Sequence, residues 1–311
     1  MRLCLVGYGA IAGKHMEAFS EIADIEPYVL VGRRQEPTAE FAAKWGFGNY
    51  ILDYHQALSD PNVDLVVITS PNAMHVEQAE AALQAGKHVL LEIPIALNLS
   101  EAERITRLSR QSGQRFMVAH TMRFFPALRE VHRRVRDGEL RIHQIIGFLG
   151  LMRRTNVTAA GKPRSWVDDL LWHLGAHLVD AALWVTGNTQ AANLSCRFGP
   201  KHATQGIMDL SLGMTLPSGE LVTINHSFNV SELRWTMTFI AEEDTLEFNM
   251  NGLYASDGRE IVPQRSVVDL RDQNHEFIVS IQEGRDPAVT GEDVLPAMRI
   301  LDRAQSIALG S

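Results

Sequence analysis

Residues 2–19 read RLCLVGYGAIAGKHMEAF, and this stretch decides the fold. Leu3 to Val6 form a short apolar run suited to a buried strand. Gly7-Tyr8-Gly9-Ala10-Ile11-Ala12 then spells G-x-G-x-x-A just before a helical pattern begins. In a strand–turn–helix unit the first glycine permits the tight turn and the second lets a pyrophosphate approach the backbone. The small third residue lets the helix pack close to the strand. The helix N-terminus adds N–H groups and the positive end of a dipole for the phosphates. Gly7 to Ala12 are therefore predicted to bind a dinucleotide.

The alternation of strand and helix continues outward from that unit. A second strand, Tyr28 to Val31, ends in Gly32-Arg33-Arg34, where an NAD enzyme commonly places an acid for the ribose 2′-hydroxyl. Guanidinium groups suit a 2′-phosphate instead, so Arg33 and Arg34 favour NADP, with NAD the alternative and Glu36 within reach of a ribose. VDLVVIT (63–69) reads as a buried parallel strand, followed by Ser70-Pro71-Asn72 and a helix from His75 through Gln84. Lys87 to Glu92 is the next strand. Ser100 with Glu103 predicts a capping box for a helix through Leu108, and Phe116 to Ala119 closes the series. In such a doubly wound, Rossmann-type parallel sheet the ligand lies at the carboxyl ends of the strands. That places Thr69, Ser70, Pro71, Asn72, His75, Glu92, Ile93 and Pro94 among the cofactor residues.

After Gly187 the pattern changes. GIMDLSLGMTL, GELVTINHSFNV, RWTMTFIAEEDTLEFNMNGLYASDG and SVVDL are alternating strands broken by turns such as Pro217-Ser218-Gly219 and Asn251-Gly252. Helices are expected from His275 to Glu283 and from Asp293 to Ala308. The expected architecture is α/β: residues 1–119 as the dinucleotide-binding domain, and 120–311 as a substrate and oligomerisation domain with a large open antiparallel sheet. The broad face of such a sheet must be covered, which predicts a homodimer through it.

A chain of 311 residues is comfortable for two domains, and 45% hydrophobic with 21% charged residues describes an ordinary globular protein. No window approaches a membrane span, and the opening MRLCLVGYGA is broken too quickly by glycines to read as a signal peptide. The two cysteines, Cys4 and Cys196, lie far apart without metal-ligand spacing, so a cytoplasmic protein without a structural metal is expected. The net charge of −8 argues against nucleic acid. Residues 115–165 nevertheless carry ten arginines and one lysine against three acids, +8, leaving −16 elsewhere. An acidic protein with one basic segment suits a small anionic substrate. Arg129, Arg133, Arg134 and Arg136 read as the solvated face of a helix.

LLWHLGAHLVD (170–180) sets His173 and His177 four apart, one helical turn, with Asp180 three further on. A lone helical histidine is more often a satisfied core residue than a catalyst. His-x-x-x-His is also a metal-ligand spacing, but this stretch lacks the glutamate of the zinc-hydrolase motif and no acidic or cysteine cluster accompanies it, so no metal is assigned.

Taken together, VGYGAIAGKH, TSPNAMH, GKHVLLEIPIAL and LGAHLVDAALWVTG resemble the glucose–fructose oxidoreductase, inositol dehydrogenase and MocA family. The resemblance spans essentially the whole chain. It implies a Rossmann domain followed by an α/β domain with an open antiparallel sheet, and oxidation or reduction of small hydroxy compounds with NAD(P). The family usually carries Glu-Lys-Pro where this chain has Glu92-Ile93-Pro94, and an aspartate where it has His173. Both changes rewrite the proton chemistry. LEIPIA, AHTMRFFP, RRTN and GKPRSWVDDLLWHLGAH resemble the semialdehyde dehydrogenases that act on 4-carboxy-2-hydroxymuconate-6-semialdehyde. That likeness implies NADP-dependent oxidation of a cyclic hemiacetal carrying carboxylates.

Such a reaction needs a base near neutrality, which histidine provides. His177 is expected to serve as base or relay, His173 to share the proton or bind a substrate oxygen, and Asp180 to orient His177. His120, Arg123, Arg153, Arg154, Asn156 and Arg164 are assigned to substrate, and Trp166 to the nicotinamide side. Two rivals stay open: a dehydrogenase for another sugar, cyclitol or sugar acid, and a non-catalytic NADP sensor.

Overall fold

The computed structural model describes residues 1–155, 157, 167–203 and 206–310. The chain divides into two compact units. The first comprises Met1–Ala119 together with Val268–Leu295, and the second His120–Val267 with Pro296–Ser311.

The first unit is a six-stranded parallel sheet in the order β3-β2-β1-β4-β5-β6, formed by β1 (Arg2–Val6), β2 (Glu26–Val31), β3 (Asn49–Ile51), β4 (Leu65–Ile68), β5 (His88–Leu91) and β6 (Phe116–Val118). Leu65 to Ile68 are all fully buried, as a strand covered on both faces must be. The helices between strands are α1 (Ala10–Phe19), α2 (Gln35–Trp45), α3 (Tyr54–Ser59), α4 (His75–Gln84) and α5 (Leu99–Ser112). The chain order reverses between β1 and β4, so the turns after those strands define the ligand end of the sheet. Helix α8 (Arg271–Glu283) also belongs to this unit rather than to the second. Two hydrogen bonds tie its segment there: Val118 N–H donates to Val289 O at 3.0 Å, and Asn274 Oδ1 lies 3.1 Å from His15 Nδ1.

The cap of α5 differs from the expected Ser100/Glu103 box. Asn98 is the N-cap, accepting from Glu101 N–H at 2.9 Å and donating to Glu101 Oε2 at 2.8 Å. A reciprocal pairing again forms, displaced two residues toward the N-terminus and closed through the Asn98 side-chain amide rather than the N-cap backbone N–H, with Asn98 in the extended backbone a cap needs.

The second unit is built on an eight-stranded sheet. It comprises β7 (Ile142–Met152), β8 (Ala192–Phe198), β11 (Asp209–Thr215), β12 (Leu221–Ser227), β13 (Asn229–Ala241), β14 (Thr245–Asn249), β15 (Gly252–Tyr254) and β16 (Glu260–Pro263), in the order β16-β15-β14-β13-β7-β12-β11-β8. β9 (Lys201–His202) and β10 (Gly206–Ile207) form a separate small ribbon. The sheet is mixed rather than purely antiparallel: β7 runs parallel to β12. Ser266–Leu270, read above as a strand, is a turn instead. Along β7 the buried residues Ile145, Gly147 and Leu149 share the face that packs on α7 (Ala176–Thr186), which in turn packs on α6 (Pro126–Arg136), while Ile146 is 40% exposed on the opposite face. α9 (Gly291–Leu309) closes the chain.

Asn98→Ala is expected to cost about 1 kcal/mol of stability, and Ser100→Ala less than about 0.5 kcal/mol, in urea denaturation. The reverse ranking would restore the cap first expected.

Candidate active site

In the first unit the glycine turn is shaped by close approach. Gly7 has φ +107°, and a Cβ there would lie 2.7 Å from Thr69 Oγ1 and 2.9 Å from Thr69 O. Gly7 N–H donates to Val31 O at 2.9 Å, and the Thr69 hydroxyl donates to Val6 O at 2.8 Å, knitting the ends of β1, β2 and β4. Gly9 is the extended N-cap of α1 and has no side-chain cap, and the first turn of α1 carries no acid. A Cβ on Gly9 would meet nothing within 4 Å. The first glycine is thus packed by protein, while the second faces open space beside a helix N-terminus. This cradle fits a pyrophosphate. Arg34 Nε lies 3.4 Å from the Tyr8 hydroxyl beside the same turn, and Arg33 is exposed next to it.

Two of the strand-end residues do internal work. His75 is fully buried, with Nδ1 2.8 Å from Pro94 O and Nε2 3.0 Å from Ser70 O. Burial pushes its pKa down, so a neutral ring donates to one carbonyl at a time and links the two turns. Its ring is therefore committed to the protein, whereas the sequence assigned it to cofactor. Glu92 pairs with His15 Nε2 at 2.7 Å. The sequence reading gave His15 no role. Its place on the inner face of α1, beside Met16 and Phe19, was the available signal.

In the second unit the helix carrying the histidines is not a plain α-helix. Leu170–Gly175 form a π-helical turn, capped by the Asp169 carboxylate accepting from Trp172 N–H at 3.0 Å, and α7 follows from Ala176. Such turns recur at functional sites because they re-aim side chains. Here they set the rings of His173 and His177 edge-to-face, with centroids 6.4 Å apart. His177 also packs edge-on against Trp235 at 4.9 Å. The floor beneath is set by register. Leu149 of β7 pairs with His226 of β12 on one side and Trp235 of β13 on the other, so all three share a face. The sequence reading missed His226 and Trp235. An alternating strand containing a histidine gives no local sign of what lies opposite.

Asp180 does not orient His177. Its carboxylate is 1% exposed and accepts Arg123 Nε at 2.8 Å and Nη2 at 2.7 Å, with His120 Nδ1 at 3.2 Å. Burial alone would raise the Asp180 pKa, but His120 and Arg123 override it and hold the carboxyl well below the ordinary range. His177 Nδ1, by contrast, is buried without a partner. Burial first, then the nearby His173, His120 and His226, push the His177 pKa well below its ordinary value. Burial likewise takes His226 down to about 4.

Two of the arginines assigned to substrate already hold protein carboxylates. Arg123 is occupied by Asp180, and Arg153 Nη1 pairs with Asp168 at 2.7 Å, because a guanidinium leaving water needs a carboxylate. Arg154 is exposed and reaches Asn229 Oδ1 at 3.1 Å. Asn156, Arg164 and Trp166 lie outside the described residues. Arg133 joins Glu130, Asp137 and Glu139 on the solvated face of α6. Among the described residues no set of three histidine, cysteine or acidic side chains is arranged to hold a metal. Nor is any described helix long and apolar enough to cross a membrane.

A pyrophosphate cradle at the switch point of a parallel sheet, in a chain that also carries a buried histidine cluster, defines a dinucleotide-dependent oxidoreductase. Comparison with known proteins agrees. Residues 1–120 match the model for the oxidoreductase family with an NAD-binding Rossmann fold, and 126–266 match that for the C-terminal region of bacterial oxidoreductases. The chain is 37% identical over 308 residues to 4-carboxy-2-hydroxymuconate-6-semialdehyde dehydrogenase of a Sphingobium species, covering 97% of this chain and 96% of that one. It is 23% identical to myo-inositol 2-dehydrogenase of Thermotoga maritima, covering 94% and 92%. Its fold superposes on levoglucosan dehydrogenase in complex with NADH and L-sorbose with a TM-score of 0.87, at 19% identity and covering 100% and 97%. The chain belongs to the glucose–fructose oxidoreductase, inositol dehydrogenase and MocA family.

Three substitutions separate packing from binding here. Gly7→Ala is expected to destabilise by about 1–3 kcal/mol, through strain at positive φ and the clash with Thr69. Gly9→Ala is expected to cost under about 1 kcal/mol yet raise the dinucleotide Kd about tenfold, read by denaturation and calorimetric titration. Arg123→Ala should lose about 3–5 kcal/mol by leaving the buried Asp180 carboxylate with His120 as its one remaining partner, where loss of a purely substrate-binding arginine would leave Tm unchanged. Because the Asp180 pKa is depressed on folding, its contribution is complete above the ordinary aspartate value of about 4 and is lost as pH falls below it.

Proposed function

We propose that this protein is an NADP-dependent dehydrogenase that oxidises the ring hydroxyl of a cyclic hemiacetal formed by a carboxylate-bearing semialdehyde, giving a lactone. The observation that carries the reading is the near-complete alignment, at 37% identity, with a dehydrogenase named for such a semialdehyde. Two features of the chain itself support it. The strand-end turn reads Glu92-Ile93-Pro94 and so carries no lysine to take a proton, while the second unit gathers His120, His173, His177 and His226. Proton transfer then falls to imidazole, whose reach of pH suits a hydroxyl losing its proton as its carbon loses hydride.

When bound, the nicotinamide supplies the hydride acceptor. Gly7 to Ala12 and the α1 N-terminus hold its pyrophosphate, and Arg33 with Arg34 favour the 2′-phosphate of NADP over a bare ribose. His177 takes the hydroxyl proton and His173 holds the neighbouring substrate oxygen. Substrate carboxylates fall to the basic segment, with Arg164 and Arg154 the arginines to vary, since Arg123 and Arg153 already hold protein carboxylates. A homodimer would cover the sheet face that exposes Ile146 and Leu221. Two buried free cysteines suit a reducing, cytoplasmic setting.

The test is NADPH formation, followed by absorbance, with the enzymatically generated semialdehyde beside a panel of sugars, cyclitols and sugar acids. Rapid turnover of the semialdehyde alone is the expected result. Turnover of a sugar instead would replace the substrate. NADPH binding without turnover of anything would favour a sensor. For the productive substrate, kcat/KM should hold through pH 6.5 and fall only further into acid, because a base with a lowered pKa stays neutral there. An acid limb above that value would assign the proton to another group.

A further inference from the structure

We propose that Trp235 is the residue that prepares His177 as a base: its indole face receives the Nδ1–H of His177, which leaves the lone pair on Nε2 for the substrate proton. The inference rests on the reading above that a hydroxyl proton leaves through His177.

The contact between the two rings is the starting observation. The rings of His177 and Trp235 lie 4.9 Å apart, centroid to centroid, with their planes at 65°. This is edge-to-face packing. His177 is half-buried. Its Nδ1 is sealed from solvent and has no hydrogen-bond partner, whereas Nε2 is not sealed. A sealed ring nitrogen without a polar partner is costly whether it carries a lone pair or a proton. An aromatic face shifts that balance in one direction only. Its negative quadrupole attracts an N–H and repels a lone pair, and indole offers the strongest such face. The contact with Trp235 therefore selects the Nδ1–H tautomer. In histidine the partner of one ring nitrogen fixes the state of the other, so Nε2 is left as an acceptor.

The indole is itself held in place. The Phe125 ring meets it at 5.6 Å and 70°, again edge-to-face, and Phe125 rests on Phe248 at 5.8 Å. Phe248 of β14 lies opposite Met237, two residues along β13 from Trp235 and so on the same face. Trp235 Nε1 is buried and makes no hydrogen bond, so packing orients the ring.

The same face serves the step that follows. As the hydroxyl O–H bond breaks, an N–H bond forms at His177 Nε2, and the ring becomes an imidazolium that keeps its Nδ1 proton. The electron pair of the broken C–H bond leaves with hydride for the oxidised dinucleotide, so atoms and charge balance. The titratable groups that act on that imidazolium are His173 of the adjoining helical turn, His120, His226 of β12 and Asp180 of α7. The three histidines oppose the charge. Asp180 favours it, but its carboxylate is already engaged by Arg123 and His120. Trp235 adds support for the charge, as an aromatic face at cation–π distance. It acts through His177 rather than on the substrate, which makes it a positioning residue.

Spectra of the wild-type protein test the tautomer without substrate or cofactor. Long-range nitrogen–proton correlations of the histidine-labelled chain at neutral pH should show His177 protonated on Nδ1, with that proton shifted upfield by the indole ring current. The upfield shift should vanish in Trp235→Leu. A proton on His177 Nε2, or an upfield shift on Trp235 Nε1–H instead, would overturn the proposal and leave the dehydrogenase reading intact. With the substrate that turns over, Trp235→Leu is expected to lower kcat about tenfold with KM within about twofold, and to move the acid limb of kcat down by about half to one pH unit. Trp235→Phe keeps a ring face and should restore most of both. A limb that stays in place or moves up in Trp235→Leu, as relief of burial alone would make it do, would also overturn the proposal. Should the Leu variant fail to fold, the wild-type spectra and the Phe variant carry the test. If nothing turns over, the substrate reading fails and the spectra still decide this one.

Discussion

A carboxylate with almost no access to water governs the second unit. Asp180 would be untenable in a helix packed on a sheet if nothing compensated its charge, since the desolvation penalty of an isolated ion exceeds what folding can spare. Arg123 meets it with two parallel hydrogen bonds and His120 with a third. The short turn Thr121–Phe124 that follows the parallel sheet is thereby anchored to α7. The helix so anchored is the one that carries His177 and continues the π-helical turn with His173. The orientation of the histidines thus descends from one ionic contact that the histidines themselves do not all touch.

The two units solve the placement of polar groups in opposite ways. The parallel sheet presents mainly backbone at its ligand end, a glycine turn and a helix end, and keeps its buried histidines, His15 and His75, paired to Glu92 and to backbone carbonyls. The mixed sheet instead commits titratable side chains to a buried layer, where low dielectric makes every neighbour count. His226 hydrogen-bonds through Nδ1 to Leu149 O at 3.2 Å, and burial keeps its ring neutral near physiological pH, so the cluster does not accumulate repelling charges.

What the sequence disclosed follows the range of each interaction. The glycine turn, the alternation of strands and helices, and helix α4 from His75 through Gln84 are local patterns, and they were readable. So was the solvated face of α6, since its partners lie within six residues of Arg133. Arg123 and Asp180 are 57 residues apart, and His15 and Glu92 are 77 apart, and no periodicity links such pairs. An arginine in a basic segment reads the same whether it awaits a ligand or already holds an aspartate. The α5 cap shows a different limit: Asn98-x-x-Glu101 and Ser100-x-x-Glu103 are overlapping solutions, and only backbone conformation chooses between them.

The alignment of His226, Leu149 and Trp235 across three neighbouring strands has a consequence for how this chain can vary. Side chains alternate faces along a strand, so inserting or deleting one residue in β7 would turn Leu149 outward and present Phe148 or Gly150 to the histidines. Two residues would restore the facing but shift every cross-strand neighbour. Gly150 adds a steric lock, since a Cβ there would lie 2.5 Å from Val230 and 2.9 Å from Ser227 O. Length in the middle of β7 therefore obeys a parity rule, and a change that leaves the histidine floor wholly undisturbed must fall beyond the strand's ends.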